Sequence, residues 1–247
     1  MAILKRVQRE EKINLQGENA IYTLLLQGDV ELHYDLQDGE YRFLIIHEEG
    51  TNLHLKESGT FRNATVYFTY LDINEDQTQQ ESRFWVEQGG NVHISSYYLA
   101  KDKKEIEFYV VNREGHSRAD INNSCVCLEN SFFHLNVEGT IKKGAKEGKL
   151  YQHSRCLTVG KPESVKITPI LRIDENDVEA GHGVSTGTID EIILYYMKAR
   201  GLSRSEAMVL LIRAYLLPQN LTLSEYEGAQ DELMRMEKRV SKLCLMS

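Results

Sequence analysis

The chain has 247 residues, of which 27% are charged and 41% hydrophobic, a composition that suits one large soluble domain or a domain with a small appendage. Its formal net charge of -8 argues against nonspecific nucleic-acid binding, which needs a basic face to meet phosphates. No apolar run approaches the roughly 18–20 residues of a membrane span. The opening MAILKRVQREEK also lacks the apolar core of a secretory signal. A cytosolic, reducing location is therefore expected, and Cys125, Cys127, Cys156 and Cys244 read as free thiols.

In chain order, short alternating runs rich in Val, Ile, Tyr and Phe come first, at residues 20–26, 41–47, 65–71, 91–99, 106–112, 124–128 and 132–137. Turn signals such as Gly28-Asp29, Asp38-Gly39, Gly89-Gly90 and Asn122-Asn123 punctuate them. Period-two alternation between turns predicts a mainly β domain, and no helical period interrupts it as a doubly wound fold would require. A sandwich, a barrel and a β-helix all fit this pattern, because no strict repeat forces a solenoid.

Near residue 180 the pattern turns helical, dividing the chain into 1–180 and 181–247. Three capping boxes predict three helix starts, with Thr188 and Glu191, Ser203 and Glu206, and Ser224 and Glu227 as the paired residues. Gly201 should supply the left-handed turn that ends the first helix, and the second should stop before Pro218. Ala229, Leu233, Met236, Val240 and Leu243 make one apolar stripe on the third, suited to packing on the body of the protein or on a partner.

Familiar catalytic signatures are missing. Gly144 to Lys149 imitates a phosphate loop, but it is one residue short between its glycines and lacks the hydroxyl after the lysine. The glycines at 181, 183 and 187 imitate a dinucleotide fingerprint with a gap one residue too long and no βαβ unit around it. Cys125 and Cys127, two apart on a strand, point to one face. They could hold a soft metal or cluster, or simply pack as small core residues. Cys156 and Cys244 stand alone in sequence. His182 lies between two glycines, in what reads as a loop ahead of the first helix, where an imidazole could meet iron or another transition metal. A hydrogen-bonded structural histidine fits the same pattern.

Residues 157–217 carry an ordered series of short motifs: Thr168-Pro169, then Leu171 and Ile173, Asp177-Val178, His182-Gly183, Ile189-Asp190, Tyr195-Tyr196, Arg200-Gly201 and Glu206-Ala207. Phe133, Gly139, Ile141, Ala145 and Gln152 precede them at fitting distances. Over about residues 113–217 this series resembles the C-terminal core of the SufB/SufD family of iron–sulfur cluster assembly proteins. The resemblance implies a right-handed parallel β-helix core with a C-terminal helical subdomain. It also implies a non-enzymatic subunit that pairs through its β-helix with a SufB-like or identical chain. The C-terminal helices would dock a SufC-type ABC ATPase, with Ile189, Tyr195, Arg200, Gly201, Glu206 and Ala207 as the contacts. Iron or an iron–sulfur cluster would be bound transiently at the dimer interface. His182 is the leading ligand candidate there, followed by Cys125, Cys127 and Glu163.

Two of three departures separate the chain from the cluster-holding scaffolds, with the His182-Gly183 pair matching the SufD side, and the third removes a thiol that SufD-like members themselves often carry. Lys161-Pro162-Glu163 stands where cluster-holding scaffolds carry a cysteine, Gly183 where they carry a glutamate, and Ala180 where SufD-like members often carry a cysteine. An N-terminal helical segment of longer relatives is also expected to be missing. One alternative is a minimal SufB-like homodimer that assembles a cluster on His182, Glu163 or the Cys125/Cys127 pair. Another is a β-helical polysaccharide-active enzyme, which would need paired carboxylates and aromatic platforms that the sequence does not display.

Overall fold

A computed structural model describes residues 2–216, 226 and 228–245. Two parallel sheets share the strands alternately. One sheet runs, in spatial order, β1 (Ala2–Val7), β3 (Asn19–Leu26), β5 (Glu40–His47), β7 (Thr65–Asp72), β9 (Asn91–Ala100), β11 (Arg118–Cys127), β13 (Gly148–Thr158) and β15 (Val178–Thr188). The other runs β14 (Ser164–Ile173), β12 (Phe132–Ile141), β10 (Lys103–Asn112), β8 (Thr78–Val86), β6 (Leu53–Arg62), β4 (Gly28–Gln37) and β2 (Glu10–Gln16). Each strand passes to the opposite sheet and returns one position further along. That path is a parallel β-helix with two strands per coil, the expected mainly β core.

The coil is irregular in length. Register partners lie 19 residues apart from Ala2 to Ile21, 25 from Leu53 to Thr78 and 32 from Phe132 to Ser164. A drifting step of this kind leaves no fixed sequence period to detect.

Inward residues of the two sheets form one core. Phe68 sits at its centre, stacked on Phe43 at 5.2 Å and Phe84 at 4.9 Å, with Tyr34 edge-on at 5.1 Å. Phe68→Leu keeps the site apolar but removes both stacks. It should cost about 1.5 kcal/mol, read as a lower midpoint in urea unfolding. An unchanged midpoint would show that the stack adds nothing beyond its buried area.

Two polar groups are sealed in the same interior. Lys104 Nζ donates to Asp72 Oδ1 (2.7 Å) and to the Asp76 carbonyl (3.0 Å), while His47 Nδ1 lies 3.0 Å from Asp72 Oδ1. Burial alone would raise the Asp72 pKa, but Lys104 and His47 outweigh it and hold the carboxyl well below the usual range. Glu57 accepts from Ser82 Oγ (2.6 Å), Gln80 Nε2 (3.3 Å) and the Tyr34 hydroxyl (3.3 Å). With no cation beside it among these partners, burial dominates and pushes its pKa up to about 7.

Three helices follow the strands: α1 (Glu191–Ala199), α2 (Arg204–Leu216) and α3 (Ala229–Leu245). Leu25, Leu44, Leu71, Leu99, Val126 and Leu157 alternate with the inward residues of the eight-stranded sheet, so they line its outer face. Ile212 and Leu216 of α2 and Met236 and Val240 of α3 cover that face. Met236 and Val240 belong to the expected apolar stripe; the side chains of Ala229, Leu233 and Leu243 lie outside what is described. Arg239 pairs with Glu49 at 2.6 Å and donates to the Ile73 carbonyl, tying α3 to early coils.

The capping boxes fare differently. At Ser203 and Glu206 the box is complete, with the Ser203 amide donating to Glu206 Oε2 (2.8 Å) and the Glu206 amide to Ser203 Oγ (3.2 Å). The first box is corrected. Thr188 is the last residue of β15, and Asp190 caps α1 by accepting from the Ile192 amide at 2.8 Å. An aspartate two residues before the first amide needing a partner outcompetes a threonine still engaged in sheet pairing. Gly201 has φ +96°, as the end of α1 requires. The third box, at Ser224 and Glu227, lies outside the described residues.

Candidate functional site

Among the described residues the coil ends at β14 and β15, each paired on one side only. His182 lies on β15, not in a loop as its glycine neighbours suggested, and it is exposed. Glycine weakens a strand but does not forbid one. Here the in-register pairing of β15 with β13, from Gly148 and Val178 to Thr158 and Thr188, carries the backbone through.

Register explains what His182 does there. Phe68, Ile94, Ile121, Gln152 and His182 are successive partners across neighbouring strands, so they form one inward-facing row. Apolar through Ile121, the row turns polar at its open end. Gln152 Nε2 donates to the Ile170 carbonyl at 3.2 Å, and Gln152 Oε1 is buried with no hydrogen-bond partner among the described residues. Gly139 makes room for it, because a Cβ there would come within 2.5 Å of Leu150 and 2.7 Å of the Gln152 amide. On the other face a Cβ at Gly183 would approach His153 Nδ1 to 3.3 Å, so a glutamate there would press on that ring.

The next inward-facing row along the strands is polar too. Ser96 Oγ donates to Asn123 Oδ1 (2.6 Å), and Asn123 Nδ2 donates to Ser154 Oγ (3.0 Å). Beyond them runs the row Tyr98, Cys125, Cys156 and Thr186. Cys127, two residues after Cys125, shares its face. The sulfur atoms of Cys125, Cys127 and Cys156 all lie within 4.8 Å of one another, with Cys127 and Cys156 at 3.5 Å. All three side chains are buried, in the interior core. Burial pushes the Cys125 thiol up, while hydrogen bonds from Cys125 and Cys127 bring Cys156 down. In sequence Cys125 stands with Cys127 while Cys156 is isolated. Only the strand register reveals that Cys156 lies directly opposite Cys125.

His182 and Glu163 do not join this group or any other grouping of three or more potential ligands among the described residues. Glu163 is exposed in the turn between β13 and β14, where its amide donates to the Ser131 carbonyl. A metal held by His182 or Glu163 would need further ligands from outside the described chain.

The candidate partner contacts also separate. Ile189 packs against the helix-covered cluster, Ala207 is fully buried and Glu206 is engaged in its capping box. Tyr195, Arg200 and Gly201 remain exposed. Around Tyr195 the sequence reading missed most of a surface. Ile192 and Tyr195 are each 75% exposed, and Ile193 and Tyr196 about half, while only Leu194 of α1 is buried. Arg200 lies over the Tyr196 ring at 4.4 Å, and Arg204 ties α2 to Glu191 at the start of α1. The signal was available in the sequence: the segment EIILYYMKA is apolar nearly all round, and only one side can face the body.

Among the described residues no helix is long and apolar enough to cross a membrane. The chain resembles the iron–sulfur cluster assembly protein SufD of Bacillus subtilis, with 38% identity over 108 residues that cover 44% of this chain and 24% of that protein. It resembles SufD of Escherichia coli with 30% identity over 84 residues, 34% of this chain and 20% of that protein. An iron–sulfur cluster assembly SufBD family protein of Archaeoglobus fulgidus is 25% identical over 196 residues, covering 68% of this chain and 53% of that protein. Each alignment thus spans about half or less of the relative. The family model for the SUF system FeS cluster assembly SufBD core domain matches residues 27–215, well upstream of where the motifs fade to the eye. With the two-sheet coil, the polar row ending at His182 and this match over most of its length, the chain belongs to the SufBD core family of iron–sulfur cluster assembly proteins.

Proposed function

We propose that the chain is a non-enzymatic, SufD-like subunit of an iron–sulfur cluster assembly complex. It docks a SufC-type ABC ATPase through α1 and pairs through the open end of its coil with a SufB-like or identical chain. The observation that carries this reading is the apolar face of Ile192, Ile193, Tyr195 and Tyr196, exposed on a helix whose opposite side is anchored by Leu194. Exposed aromatic and aliphatic clusters of this kind supply the binding energy of protein interfaces.

Pairing is supported by the end of the coil. A solenoid needs a polar cap on its last coil. Here Val165, Ile167, Leu171 and Val178 are only partly covered, Ile173 is 40% exposed, and β14 and β15 each offer an unpaired edge. The same end presents His182, which a second chain could complete as a transient site for iron or a cluster as cargo. The SufD assignment rests on the His182-Gly183 pair and on the two SufD relatives.

Copurification tests the docking. Ile192→Asp combined with Tyr195→Ala should weaken capture of a SufC-type ATPase at least tenfold, about 1.4 kcal/mol or more, without changing the unfolding midpoint. Undiminished capture by a folded double variant would remove α1 as the docking element.

A further inference from the structure

The thiol group is separate from both surfaces just assigned. We propose that Cys125, Cys127 and Cys156 form an internal three-sulfur site for one soft d10 cation, copper(I) or zinc(II), which the chain binds by itself. Three of the four cysteines in the sequence converge here from two neighbouring strands. Small core residues have no need to converge, whereas ligands must.

The dimensions fit. A metal at the centre of a sulfur triangle with bonds of about 2.3 Å needs sulfur–sulfur distances of roughly 4.0 Å. Cys127 and Cys156 stand at 3.5 Å and no pair of the three sulfurs exceeds 4.8 Å, close to that value.

The donor set selects the ion. No imidazole or carboxylate belongs to the group among the described residues, so the site offers soft ligands alone, and thiolate sets favour copper(I) and zinc over harder cations. Copper(I) is satisfied by three sulfurs. Zinc(II) would add a small exogenous fourth ligand to reach its tetrahedral preference.

A surface cleft at the open end lies close to the buried group. Thr186 stands beside Cys156 on the same row of the edge strand, and Thr158, Pro162, Val165, Thr186, Gly187 and Thr188 line a surface cleft there. Only the edge strand β15 lies between the thiol-bearing strands and that end of the sheet.

Anaerobic titration of the reduced, purified chain with copper(I), zinc(II) or iron(II) alone tests the proposal. Copper(I) or zinc(II) should bind one per chain and at least tenfold more tightly than iron(II). X-ray absorption should show three sulfur neighbours at about 2.3 Å. Sulfur-only coordination would identify copper(I) as the better fit, and one added light-atom ligand zinc(II). Cys125→Ala, Cys127→Ala and Cys156→Ala should each weaken binding at least tenfold, while Cys244→Ala should leave it unchanged. The proposal fails if binding survives the triple substitution, if iron(II) binds as well, or if wild-type absorption shows mainly nitrogen or oxygen neighbours. The wild-type spectrum decides the matter even if an alanine variant does not fold. The test uses neither ATPase nor second chain, so the assembly reading can fail without affecting it.

Discussion

Lys104→Met is expected to destabilise the chain by about 3–5 kcal/mol at neutral pH, the usual cost of leaving a buried charge without its partner. Lys104 is fully buried, and its ammonium donates to Asp72 Oδ1, the Asp76 carbonyl and Thr78 Oγ1. Methionine keeps the length of the stem but strands the Asp72 carboxylate with only His47 and Thr78 beside it. Adding Asp72→Asn should recover much of the loss, because the remaining groups are then neutral or paired. Urea unfolding of the two single variants and the double variant measures the coupling. A single-variant cost below about 1 kcal/mol would mean that water reaches the site. The pH dependence has a definite sign. The Asp72 carboxyl is depressed in the folded chain, so its contribution is present above the ordinary carboxylate range and is lost as pH falls through the folded value.

Glu57 should act in the opposite direction. Its folded pKa is raised to about 7 from the ordinary 4.5. Between those values the folded chain holds a proton that the unfolded chain has released, so stability falls as pH rises across that window and levels off above it. The total loss is on the order of 3 kcal/mol. Glu57→Gln keeps the shape and removes the titration, and its unfolding midpoint should stay flat from about pH 5 to 8 while the wild type declines. A wild-type midpoint that rises over that interval would overturn the assignment of Glu57 as a buried, late-ionising carboxyl. The two carboxyls thus oppose each other, Asp72 losing its contribution as pH falls and Glu57 losing its own as pH rises toward 7.

Much of the eight-stranded sheet was readable from the sequence. The runs at 20–26, 41–47, 65–71 and 91–99 fall within β3, β5, β7 and β9. These strands are apolar on both faces, one turned to the core and one covered by α2 and α3. Strands β4, β6 and β8 were harder, because their outward positions carry Glu31, Lys56 and Glu81 and dilute the apolar signal. The helices and the Ser203 cap were legible because capping is local chemistry. Two things were not. The division at 180 placed the end of the strands early, since the Gly-rich segment from 181 to 187 reads as a turn when its neighbour is unknown. Cys156 looked solitary because its partners lie 29 and 31 residues back, and the drifting coil length hides which strand lies beside which.

That same coil sets the order in which the chain can acquire structure. Every strand pairs with neighbours one coil away, at most 32 residues along the sequence, so pairing can follow synthesis from the N-terminus as each coil emerges. The outer apolar face is different. Leu25, Leu44 and Leu71 belong to early coils, but Ile212, Leu216, Met236 and Val240, which cover them, follow much later in the sequence. A nascent chain therefore carries an uncovered hydrophobic face from the time its early coils pair until residues 212–240 have left the ribosome, an interval of exposure to aggregation and to chaperones.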